Sequence, residues 1–103
     1  MATDSEMIDA LRVGAQTMDT LGRMVRMQEN GVSPWWWHGA IMDEMERLAA
    51  LDYPVYSCAG IAGNLRGFNA MDTEKYLRQM ISAGVVAETE PAWDFEDLWV
   101  TLS

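Results

Sequence analysis

Residues 57–86 read SCAGIAGNLRGFNAMDTEKYLRQMISAGVV. Ser57 is suited to cap a short helix through its hydroxyl, and Ile61, Ala62 and Leu65 form that helix's inward face. Ala62 is small where two helices must approach closely. Arg66-Gly67-Phe68-Asn69 makes a turn. Asn69 then caps a second helix, with Asp72 three residues on as a capping-box partner. That helix is predicted over about residues 70–83, with Thr73, Tyr76, Leu77, Met80 and Ile81 on its buried side. Gly84 ends it, because glycine accepts the left-handed conformation beyond a helix terminus.

Downstream, residues 85–89 are β-rich and residues 98–102 form a second strand. Pro91 to Asp97 connects them, which predicts a β-hairpin. Upstream, residues 39–51 form a helix. Ile41, Met45, Leu48 and Ala49 are its expected buried side, and Asp43, Glu44, Glu46 and Arg47 its solvated one. Asp52-Tyr53-Pro54 stops it.

Before that helix stands Val32-Ser33-Pro34-Trp35-Trp36-Trp37-His38. Pro34 breaks any continuous helix. Three adjacent tryptophans cannot all face one way, so one is expected in the core and one partly exposed. They read as an apolar plug joining the first segment to the domain. Base stacking by these rings lacks the interleaved basic residues it needs. His38 is the only histidine and has no cysteine or histidine at metal spacing, so its expected role is structural.

The first segment predicts one long helix, roughly residues 4–29. Thr3 and Glu6 have capping-box spacing, and Asn30-Gly31 is a stop signal. Met7, Leu11, Met18, Leu21 and Val25 recur as one apolar stripe. The stripe either packs on the domain's own core or pairs with a second copy. At 1.5 Å per residue the helix is about 40 Å long, more than a small domain can cover. The division is therefore an N-terminal helix with a tryptophan-rich linker over residues 1–37, a candidate dimerisation element, and a domain over residues 38–103.

The phrase Ile61-Ala62-Gly63-Asn64-Leu65, followed by Met80-Ile81-Ser82-Ala83-Gly84-Val85-Val86, resembles the winged helix-turn-helix family of repressors, particularly the small archaeal and phage type. The resemblance covers residues 38–103. It implies a mainly α fold with a small β-hairpin, a winged helix-turn-helix preceded by a long N-terminal helix. It also implies that the second helix of the motif enters the major groove of double-stranded DNA. The implied DNA-binding residues are Arg66, Asn69, Met71, Glu74, Lys75 and Arg78. Lys75 and Arg78 would meet guanine or phosphate, Arg66 would hold the backbone from the turn, and Glu74 would accept from base amino groups. Met71 offers apolar contact. A homodimer would set the half-site spacing.

Charge qualifies this reading. The chain carries seven basic and sixteen acidic side chains, a formal net charge of −9, and Lys75 is the one lysine. A nonspecific nucleic-acid coat is excluded, since that needs a basic surface. The composition suits salt adaptation and nucleic-acid mimicry alike. The hairpin carries Glu88, Glu90, Asp94, Glu96 and Asp97, which would repel phosphates. Residues 55–87 alone are not acidic, with three basic and two acidic side chains.

No serine–histidine–acid set, glycine-rich phosphate loop or metal cluster is present, so neither an enzyme, a cofactor nor a metal is expected. Cys58 is the only cysteine, and no internal disulfide is possible. With no basic-then-apolar leader and no long apolar run, a cytoplasmic protein with no membrane partner is expected. Two function classes stay open. One is a dimeric, sequence-specific DNA-binding transcriptional regulator. The other is a small acidic virus-encoded inhibitor, of anti-CRISPR or DNA-mimic type, that binds a host protein complex.

Overall fold

The computed structural model describes residues 18–103. Among them are helices α1 (Met18–Glu29), α2 (Trp36–Ala50), α3 (Cys58–Asn64) and α4 (Ala70–Ser82), and strands β1 (Tyr56–Ser57), β2 (Val86–Glu88) and β3 (Trp99–Leu102). The chain is mainly helical with a small antiparallel sheet, as expected. Thr3, Glu6, Met7 and Leu11 lie outside the described residues.

The local signals around α3 and α4 act as their chemistry requires. The Ser57 hydroxyl accepts from the Gly60 amide at 3.0 Å. Asn69 Oδ1 accepts from the Asp72 amide at 2.8 Å. The reciprocal arm differs from expectation: Asp72 takes the Asn69 side-chain amide at 3.0 Å. Gly84 has φ +76° and Gly31 has φ +85°, so both helix stops use the left-handed region. Cys58 Sγ bonds the Ala70 carbonyl at 3.3 Å, tying α3 to the start of α4. Burial pushes its thiol up to about 11, so it is a packing group.

The sheet order is β1-β3-β2, antiparallel throughout. Val86 pairs Leu102 and Glu88 pairs Val100, which is the predicted hairpin with slightly shorter strands. Sequence reading missed β1. It consists of two residues whose pairing is with Val100 and Trp99, far along the chain.

The core is rich in methionine. Met24, Met27, Met42, Met45 and Met80 are fully buried together with Ile41, Ile61, Leu77, Val85 and Val100. Unbranched thioether side chains fill irregular gaps between short elements. Met24 and Met27 come from α1, so this helix shares the domain's core. Polar contacts fasten it further. Thr20 and Arg23 both bond Glu46 of α2, and Arg26 donates to the Gly84 carbonyl at 3.0 Å. The stripe residues Leu21 and Val25 are half-buried, and Met18 is 80% exposed.

Three expectations need correction. Helix α2 starts at Trp36, three residues early, because His38 Nδ1 accepts the Trp35 amide at 2.9 Å and stabilises the first turn. None of the three tryptophans is fully buried. Successive helical positions diverge by about 100°, so Trp36 and Trp37 flank the core rather than enter it; the tryptophan in the interior is Trp99. Glu44, read as solvated, is buried. It takes a bidentate bond from Arg47 and one from Asn64 Nδ2 at 3.2 Å, and Glu46 likewise faces α1. No helix among the described residues is long and apolar enough to cross a membrane.

Candidate nucleic-acid interface

Helix α4 buries Thr73, Leu77 and Met80 and turns Met71, Glu74, Lys75 and Arg78 to solvent. Its orientation is fixed from behind. His38 Nε2 meets Gln79 Oε1 at 2.7 Å. Trp36 and Trp37 stack with centroids 3.6 Å apart, and Trp37 meets the edge of Phe68 at 4.7 Å and the face of Tyr76 at 6.1 Å. The aromatic run therefore braces the turn and the inner flank of α4. Nothing in its sequence spacing indicates this, since both contacts cross the fold.

The outward residues differ in availability. Met71 is 82% exposed at the start of α4. Arg66 stands exposed in the turn before it. Among the described residues neither Arg66 nor Lys75 has an ion-pair partner. Lys75 Nζ lies 5.7 Å from the Tyr76 ring centroid. Arg78 sits between two carboxylates, 3.7 Å from Glu74 and 3.8 Å from Glu88 of β2. Both pairs are exposed and loose, and such pairs hold with well under about 1 kcal/mol. A phosphate can displace them. Asn69 is committed to its helix cap, so its side chain is engaged with Asp72. Sequence reading missed Glu88 as a neighbour of Arg78, since the direction in which β2 leaves α4 is set by the turn at Gly84 together with pairing to β3.

The loop between β2 and β3 is held at its base. Asp97 Oδ2 accepts the Ala59 amide at 2.9 Å, and Oδ1 accepts the Leu98 amide at 2.8 Å. Of the five acids read as repelling DNA, Asp97 is thus a structural clamp on α3. Glu88, Glu90, Asp94 and Glu96 remain exposed, with Trp93 and Phe95 beside them. The surface divides into a mixed-charge α4 face and an acidic, aromatic loop. Among the described residues no group of three or more His, Cys, Asp or Glu side chains could hold a metal ion. Comparisons with protein-family models, curated proteins and solved structures found no match to this chain. Function is therefore read from the surface itself.

Proposed function

We propose that the chain is a dimeric, sequence-specific DNA-binding regulator of the winged helix-turn-helix type. The observation that carries the reading is the outward face of α4, with Met71, Glu74, Lys75 and Arg78 uncovered and Arg66 at its N-terminal approach. It stands on a chain order of α2, β1, α3, α4, β2, β3 with strand order β1-β3-β2, which supports the winged arrangement. In this reading α4 enters the major groove. Lys75 and Arg78 reach guanine or phosphate, Arg66 grips the backbone, and Glu74 accepts from an amino group. The acidic loop stays off the phosphates.

A mobility-shift titration across a salt series, using DNA that flanks the protein's own gene, tests the proposal. Arg66→Ala, Lys75→Ala and Arg78→Ala combined should abolish specific binding. Each lost phosphate contact should lower the salt slope by about one. A folded triple variant that shifts DNA like the wild type would remove this face from consideration.

A second reading is favoured by one observation. Glu74 and Glu88 flank Arg78, and Glu90, Asp94 and Glu96 lie exposed beside Trp93 and Phe95. Carboxylates with aromatic anchors suit a basic protein partner, as an acidic virus-encoded inhibitor of a host complex would require. Wild-type protein that shifts no DNA at any salt concentration would favour this reading.

A further inference from the structure

A cleft of about 390 Å³ lies between the end of α2, α3 and the β2–β3 loop. Its walls are Leu48, Leu51, Tyr53, Ile61, Trp93 and Trp99, with Gly60 and Asn64 of α3 at one side. Three of these large side chains are left mostly in water: Leu51 at 57%, Tyr53 at 54% and Trp93 at 64% exposure. The Trp93 ring stands edge-on to Trp99, with centroids 4.6 Å apart and planes at 82°. Trp99 is fixed in turn by its indole N–H, which donates to the Asp94 carbonyl at 3.2 Å. Trp93 is thus an exposed ring beside a clamped one.

We propose that this cleft binds a small, neutral, planar aromatic molecule of two or three rings, with Trp93 covering it. The volume falls within the roughly 300–1,000 Å³ of small-molecule sites, which are mainly apolar with a few polar groups. Aromatic walls favour a flat ligand, through offset or edge-to-face ring contacts. Charge selects a neutral one. Among the described residues the only charged one lining the cleft is Arg47, and its guanidinium is already matched by Glu44 through two hydrogen bonds. Glu44 already neutralises that charge, so an anion gains little net attraction there, and among the described residues a cation finds no carboxylate on the walls. Tyr56 also lines the cleft, and burial raises its phenol above the ordinary tyrosine range, so it stays neutral. This site is separate from the outward face of α4 and does not depend on DNA binding.

The test is a titration of the full chain with β-naphthol, followed by two-dimensional NMR and calorimetry in the absence of DNA. Saturable binding of one naphthol per chain is expected, with the largest shifts at the Trp93 and Trp99 indole N–H signals. Trp93→Ala and Leu51→Glu change exposed rim residues and should each weaken binding at least about tenfold, with the spectrum otherwise preserved. Naphthalene sulfonate, the anionic counterpart, should bind at least about tenfold more weakly than naphthol. Shifts that do not saturate, or that centre on Trp36 and Trp37, would overturn the site. Changes at Trp93 that follow protein concentration instead of naphthol would make the cleft a contact between copies, and the ligand proposal would fall.

Discussion

Thr73 lies on the inner face of α4, fully buried, and its hydroxyl has no hydrogen-bond partner among the described residues. A buried hydroxyl that gives up water and gains nothing is a net cost. Thr73→Val keeps the shape and removes that cost, so it should raise unfolding free energy by about 1 kcal/mol. Urea denaturation measures it, and a loss of similar size would mean that the hydroxyl is bonded. His38 is the opposite case, since both ring nitrogens are used, one by the Trp35 amide and one by Gln79. Burial holds its pKa below the ordinary 6.5, against a smaller opposing pull from Gln79. On acidification the unfolded chain therefore takes up this proton first. The contribution of His38 is fully present above about pH 6.5 and is lost as pH falls through the lower folded value. Urea midpoints measured through this range should fall more steeply for wild type than for His38→Gln. Equal slopes would show that His38 ionises alike in both states.

At the scale of elements, Leu77 offers the sharpest measurement. It is fully buried on α4 within the common core. Leu77→Ala should cost about 2–5 kcal/mol, the usual range for a large-to-small change in a close-packed site. An unchanged melting curve would mean that α4 does not pack as described. Helices α3 and α4 were readable because their determinants are local: Ser57, Asn69 and Gly84 each act on backbone a few residues away. The buried spacing of Thr73, Leu77 and Met80 repeats within one helix. By contrast, β1 is defined by hydrogen bonds to β3, and two residues carry no periodicity of their own. The start of α2 was hidden because an imidazole does the work usually given to glutamate or glutamine. Glu44 looked solvated because Arg47 and Asn64, which satisfy it, come from the next turn and from α3. The candidate interface followed the same rule. The outward positions of α4 followed from its periodicity, while the carboxylate of Glu88 beside Arg78 required the fold.

The whole molecule turns on what α1 does with its second apolar face. One face is already used, since Met24 and Met27 complete the core and Thr20 and Arg23 bond Glu46. The stripe of Met18, Leu21 and Val25 is not the one that packs inward. Met18 is 80% exposed, and Leu21 and Val25 are only half-covered. In the proposed dimer this flank of α1 is the part left to meet a second copy. Against its own copy it would form a self-complementary, two-fold contact. Such a contact also answers a shortage of positive charge. One α4 face carries Lys75 and Arg78 with Arg66 nearby, and Arg78 is shared with two carboxylates. Few phosphate contacts give weak, salt-sensitive binding, whereas two copies double the number and let half-site spacing add selectivity. Light scattering at concentrations in the tens of micromolar should therefore report a dimer. Met18→Glu with Val25→Glu places like charges across the two-fold contact and leaves Met24 and Met27 untouched. That variant should be monomeric, keep the aromatic circular dichroism of the packed Trp99 and Trp37 rings, and bind a single half-site with lower affinity. A wild-type protein that scatters as a monomer would remove α1 as a dimer element. It would also leave α4 too few cations for operator binding, and the acidic loop between β2 and β3 would become the surface to follow.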